Sequence, residues 1–198
     1  MNFSNTITSE EIQKLPIIKY SGKIVLVDKI SIFNNIKKLL LLEKIWGFDT
    51  ESKPVFISSD AKTRKPALLQ LSSETTTYLF RLNKINIPDE IIEIFQNPDI
   101  LKIGLAIKED IRNLQKIKKF TPNGFIDLQS MVKKYGISEL GLKKLTAITL
   151  SHNISKKQQL SNWESDELSQ EQIIYAATDS WVTQKIYFKL KDNDSARI

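Results

Sequence analysis

The sequence predicts an α/β fold: a single domain with a mixed β-sheet flanked by helices. Three observations point to it. Strand-like segments crowd the first part of the chain, β and α segments alternate in the middle, and the last third is helical. A chain of 198 residues with 41% hydrophobic content can bury one substantial core. No Pro/Gly/Ser-rich linker divides it and no internal repeat is present. The expected layout is an N-terminal extension over residues 1–20, one domain over 21–192 and a tail over 193–198.

Each element has a local reason. Residues 22–28, with Ile24, Val25, Leu26 and Val27 in succession, predict a buried strand. Ser31 can cap a helix whose apolar positions, Ile32, Phe33, Ile36, Leu39 and Leu40, recur every three or four residues. Residues 45–51 predict a strand that begins apolar and ends acidic. Residues two apart in a strand share a face, so Asp49 and Glu51 project together with Thr50 opposite. Adjacent carboxylates repel, and this arrangement is costly unless a cation fills it. Residues 53–66 form a basic connection containing Lys53, Lys62, Arg64 and Lys65.

Residues 67–72 and 75–82 read as a hairpin turning at Ser73-Glu74. Pro88 opens a helix through Ile91, Ile92, Ile94 and Phe95, which Asn97-Pro98 ends. Residues 100–107 predict a strand interrupted by Gly104, and 108–118 a helix with Ile111, Leu114 and Ile117 on one face. Asp110 falls in that helix's first turn, where free N–H groups and the helix dipole favour its ionised form. A short strand over 125–128 precedes helices running to the end, broken near Gly136, at 152–155 and at 161–164. The last helix carries Tyr175 and Asp179 four apart, and therefore on one face.

Composition excludes several classes. Without cysteine there is no disulfide framework, thiolate metal site or thiol redox chemistry, and the single histidine, His152, excludes a His-rich zinc site built from this chain alone. No apolar run approaches the ~20 residues a bilayer span requires, so no membrane partner is expected. Met1 to Glu10 lacks the basic-then-apolar layout of a secretory signal. A reducing cytoplasm is the expected location. The net charge of +6 suits a polyanion. Of 29 basic residues only Arg64, Arg81, Arg112 and Arg197 are arginines, so the lysine excess supports nucleic-acid binding without establishing it.

Three acidic segments remain: Phe48-Asp49-Thr50-Glu51, Gly104 through Asp110 to Leu114, and Tyr175-Ala176-Ala177-Thr178-Asp179. Hard divalent cations take oxygen ligands, and two of them need several converging carboxylates. With Ala67-Leu68-Leu69-Gln70-Leu71 between the first two, and Leu160-Ser161-Asn162-Trp163 leading through Leu168 and Gln172 to the third, the chain resembles the DEDDy subgroup of 3′–5′ exonucleases. That group holds ribonuclease D and the exonuclease domain of the Werner syndrome protein. The resemblance runs from about Val25 to about Leu190.

It implies a ribonuclease H-like fold and hydrolysis of phosphodiester bonds at a free 3′ end of DNA or RNA, single-stranded or frayed, releasing nucleoside 5′-monophosphates. It further implies that Asp49, Glu51, Asp110 and Asp179 bind two Mg²⁺ or Mn²⁺ ions, with Asp49 bridging, and that Tyr175 orients the attacking water. Tyrosine rather than histidine in that slot separates this subgroup from its DEDDh sister. Lys62, Arg64 and Lys65 are the expected phosphate contacts. Phe48, Tyr78 and Trp163 are expected in the core rather than stacked on bases, and His152 in a loop.

The sequence departs from the pattern in two places: Ser180 stands where alanine is frequent, which should be harmless, and Glu164-Ser165-Asp166-Glu167 is acidic beside an expected nucleic-acid groove. No residues follow Ile198 for the helical RNA-binding modules of ribonuclease D, so tRNA maturation is not expected. Two rival readings are a non-catalytic nucleic-acid-binding module on the same fold and an endonuclease of the wider fold superfamily. The complete acid set argues against the first and the tyrosine motif against the second.

Overall fold

Alternating side chains build a sheet whose two faces are covered by different helices. A computed structural model describes residues 3–54 and 65–195. The elements are α1 (Ser9–Lys14), β1 (Lys23–Val27), α2 (Ile30–Leu40), β2 (Ile45–Glu51), β3 (Leu68–Ser72), β4 (Thr76–Arg81) and α3 (Leu82–Ile85). There follow α4 (Asp89–Gln96), β5 (Leu101–Gly104), α5 (Lys108–Ile117), β6 (Phe125–Asp127), α6 (Leu128–Met131), a 3₁₀ turn (Val132–Tyr135), α7 (Leu142–Leu150) and α8 (Gln170–Ser195).

The sheet has six strands in the order β1-β4-β3-β2-β5-β6. β1 pairs parallel with β4, β4–β3–β2 run antiparallel, and β2–β5–β6 are parallel. Mixed pairing follows from the connections: the tight hairpin forces antiparallel neighbours, whereas the crossover helices return the chain parallel.

The expected mixed sheet is therefore present, with local corrections. Helix α2 begins one residue before Ser31, with Lys29 at its cap position and no side-chain cap bond, so Ser31 lies in the first turn and does not cap it. The residues of β1 are mostly half-buried rather than buried, because β1 is an edge strand. The strand expected over 100–107 ends at Gly104: Ala106 adopts φ 57° and its N–H donates to the Asp127 carboxylate at 3.0 Å, turning the chain into α5. Leu82 opens α3 instead of extending the hairpin. Between α7 and α8 the chain makes turns without helix. Helix α1 was not expected; Thr8 and Glu11 cap it reciprocally.

One face of the sheet, with Trp46, Phe48, Leu69, Leu71 and Phe80, packs against α2, α4 and α5 through Phe33, Ile91, Ile94, Phe95 and Leu114. The other face receives α8. At Gly47 a Cβ would lie 2.0 Å from the Ser180 carbonyl oxygen, so α8 crosses β2 almost in backbone contact and only glycine allows it. Beneath that crossing, buried hydroxyls of Ser72, Thr77 and Ser180 bond one another at 2.6 and 2.8 Å. Ser180 thus has a hydroxyl partner where alanine would have none. Among the described residues no helix is long and apolar enough to cross a membrane.

Candidate active site

The crossing at Gly47 decides where the carboxylates meet. Two residues further along β2, Asp49 points toward α8, and Glu51 follows on the same face, as the strand period requires. Asp179 immediately precedes Ser180, the residue that contacts Gly47, so α8 delivers its carboxylate to the same point. Carboxylate oxygens of Asp49, Glu51 and Asp179 lie within 4.8 Å of one another.

Asp110 arrives from the opposite side. Thr50 projects to the α5 face, and its hydroxyl donates to Asp110 Oδ1 at 2.5 Å. Asp110 is therefore held at the sheet's rim by the residue between the two strand acids. It is outside the tight trio but near enough for its charge to act on Asp49.

The electrostatics of the cluster follow from burial. Asp49 is held well above the usual carboxylate range by burial first, then by the charges of Asp110 and Asp179, while the Thr50 N–H bonded to it at 2.9 Å opposes them. Burial pushes Asp179 up to about 7, against the Tyr175 hydroxyl that donates to it and the nearby Lys156 ammonium. Tyr175 is driven far above its ordinary range by burial and by Asp179, Glu51 and Asp49. It therefore stays a phenol at any physiological pH.

Tyr175 itself is fixed from behind. Its ring packs on that of Trp163 at 6.0 Å between centroids, and Trp163 is fully buried against Leu68, Leu79 and Ala67. The turn carrying Trp163 is tied down from both sides. Gln172 donates to Ser161 Oγ and to the Asn162 carbonyl at 3.0 and 3.2 Å. The buried Arg81 guanidinium donates to the carbonyls of Ser165 and Asp166, and Lys84 donates to Asp166 at 2.6 Å.

A groove of about 500 Å³ opens over the cluster, lined by Asp49, Glu51, Tyr175 and Asp179 together with Leu140, Lys156 and Leu160. Leu160 is 74% exposed, an apolar platform in a groove lined by three acids. Sequence reasoning did not single out Lys156, Leu140 or Leu160 as site residues. The available signal was Leu160 as a lone apolar residue ending the polar run Lys156-Lys157-Gln158-Gln159. Of the expected phosphate contacts, Lys62 and Arg64 lie outside the described residues. Lys65 lines a separate hollow with Lys84 and Glu164 and is absent from the lining of the acidic groove. Phe48, Trp163 and Tyr78 are buried, as expected of core residues. His152 sits in a loop, its Nδ1 2.6 Å from the Leu150 carbonyl.

The donor set suits a hard divalent cation. It is all oxygen, with no sulfur or imidazole in it, and its crowded, partly buried like charges destabilise one another until a cation compensates them.

A six-stranded mixed sheet with acids at its rim places the protein in the ribonuclease H-like class, and solved structures agree. The Aedes aegypti Nibbler EXO domain superposes with a TM-score of 0.80 at 22% identity, covering 91% of this chain and 94% of that one. Escherichia coli RNase D, an exoribonuclease involved in structured RNA processing, superposes at 0.77 and 19% identity, covering 88% and 46%. At sequence level, residues 24–193 match the 3′–5′ exonuclease family, and the chain belongs to it. Drosophila melanogaster exonuclease 3′–5′ domain-containing protein 2 is 32% identical over 163 residues, which cover 80% of this chain and 27% of that protein. The mouse bifunctional 3′–5′ exonuclease/ATP-dependent helicase WRN is 28% identical over 195 residues, 93% of this chain and 14% of that protein. The chain thus spans under a third of the length of either relative.

Proposed function

We propose that the protein removes nucleoside 5′-monophosphates from the 3′ end of single-stranded or frayed DNA or RNA, as a DEDDy-type exonuclease using two Mg²⁺ or Mn²⁺ ions. The observation that carries this reading is the convergence of Asp49, Glu51 and Asp179 within 4.8 Å, with the Tyr175 hydroxyl on Asp179.

Asp49, Glu51 and Asp179 would hold the ions, with Asp110 completing the set from the far side of Thr50. When bound, such ions lower the pKa of a water and neutralise charge on a leaving oxygen. Ionised carboxylates are required, so bound cations pull Asp49 and Asp179 back toward their ordinary range. Tyr175 positions the nucleophile. Its proton is committed to Asp179, leaving oxygen lone pairs free to accept from a water and aim it. Because Tyr175 stays protonated, it orients and does not abstract. Leu140 and Leu160 offer apolar surface for a terminal base, and Lys156 supplies a cation for its phosphate.

The test is an assay on 3′-labelled and 5′-labelled DNA and RNA oligonucleotides, with and without EDTA. Stepwise shortening from the 3′ end, blocked by EDTA, is expected. Binding without cleavage would leave a nucleic-acid-binding module, and cutting of circular single strands would point to an endonuclease.

A further inference from the structure

The acidic groove continues at both ends, and the N-terminal segment walls both continuations. One end is a hollow of about 340 Å³ between Ile17, Lys19 and Lys157, sharing Tyr175 and Asp179 with the groove. The other is a hollow of about 420 Å³ between Ser9 and Gln13 of the α1 segment and Lys143 and Lys144 of α7, sharing Gly141 and Lys156 with the groove. Shared lining residues set the three hollows side by side.

The wall is docked rather than loose. Ile18 N–H donates to the Asn153 carbonyl and Asn153 N–H to that of Pro16, each at 2.9 Å, and Tyr20 N–H donates to Thr178 Oγ1 of α8 at 3.0 Å. Ile12 of α1 is buried. A surface ordered in advance does not charge a ligand the entropy of ordering it.

The two ends differ in charge. At the Ile17 end, Glu171 lies close enough to Lys19 for each to offset the other, and exposed Ile17 makes the surface apolar. At the α1/α7 end, Lys143, Lys144 and Lys156 gather, and Glu139 at 2.9 Å engages only Lys144. At the Ile17 end Lys157 remains against Asp179, so a polyanion leaving the carboxylate cluster meets the larger excess of positive charge at the α1/α7 end.

We infer that the α1 segment and α7 form a lysine-lined channel for the single-stranded nucleic acid upstream of the cleaved bond, with Lys143 and Lys156 on its phosphates and Gln13 on the opposite wall. The inference rests on the exonuclease reading for what the strand is, and it makes the segment over 9–20 part of the working site.

The chain has no cysteine, which permits a direct test. Gln13→Cys carrying a photo-crosslinker, and Lys38→Cys on α2 across the sheet as control, are illuminated with a 5′-labelled oligonucleotide of about twelve nucleotides in EDTA. A crosslink at position 13 and none at 38 is expected. In parallel, Lys143→Glu should raise the Kd for the same oligonucleotide about tenfold and reduce its salt slope by about 1. No oligonucleotide binding, no crosslink at 13, equal crosslinking at both positions, or unchanged affinity in Lys143→Glu would each overturn the channel. A crosslink at 13 without 3′ shortening in the cleavage assay would remove the exonuclease reading and leave the channel standing.

Discussion

The two faces of the sheet are made from alternate residues of the same strands, yet only one of them gathers charge. Toward α2, α4 and α5, β2 presents Trp46 and Phe48 and β4 presents Tyr78 and Phe80. Phe48 meets Phe95 and Phe125, Phe80 meets Phe33, and Trp46 meets Tyr78, all edge-on at 5.3–6.4 Å. Toward α8 the same strands present Gly47, Asp49, Thr77 and Arg81, joined by Gln70 and Ser72 of β3. Gln70 is fully buried and opposite Asp49, with no hydrogen-bond partner for its amide among the described residues. Both faces bury apolar area, the α8 face through Leu68, Leu79 and Ile103, but the first is apolar almost throughout. The other holds unsatisfied and like-charged groups, an arrangement that costs stability and is found where a site is poised for a ligand.

If that division holds, variants on the two faces should fail in opposite ways. Asp49→Asn removes a half-buried carboxylate from a repelling group. It should abolish turnover while raising the melting temperature of the metal-free protein; a fall in Tm with activity retained would erase the contrast. Tyr175→Phe should slow turnover about 10²–10⁴-fold in a single-turnover assay with little change in Tm, since the ring still packs on Trp163. On the other face, Phe95→Ala should cost about 3–5 kcal/mol in a denaturant titration while the surviving folded enzyme keeps its turnover per molecule.

The smallest effect is the most diagnostic of sign. Asp179 in the folded chain is pushed up to about 7 against 3.8 ordinarily, so between those values the folded state keeps a proton that the unfolded chain has lost. Its contribution to stability is present at acid pH and is lost as pH rises toward about 7, and Asp49 shifts in the same sense. The metal-free Tm should therefore decline from about pH 5 to about pH 8. Millimolar Mg²⁺ or Mn²⁺ should restore it most at the upper end, where the carboxylates are ionised. A Tm that rises over that range without metal would show that the face is not strained.

Much of this was legible beforehand because it depends on short-range rules. The period of two put Asp49 and Glu51 together and Thr50 opposite, the four-residue spacing aligned Tyr175 with Asp179, and Asp110 fell in the first turn of its helix as read. The limits of β2 matched the expected 45–51. What escaped depends on distant partners. Nothing near Gly47 announces that a backbone 133 residues later must touch it. Lys156 and Lys143 look like any of the chain's lysines until the fold sets them beside the carboxylates. The strand expected through Ile107 stopped at Gly104 because the Asp127 carboxylate, from a strand still to come, captured the Ala106 N–H.

The attachment beneath Trp163 has a consequence for how this chain can change. Arg81 and Lys84 grip the main-chain oxygens at positions 165 and 166, not the side chains. Whatever residues occupy 165–167, those oxygens are always there to be held. The side chains of this stretch, here Ser165-Asp166-Glu167, can change while the tyrosine one layer above stays aimed. It is a place where the surface can be rewritten without retuning the machinery.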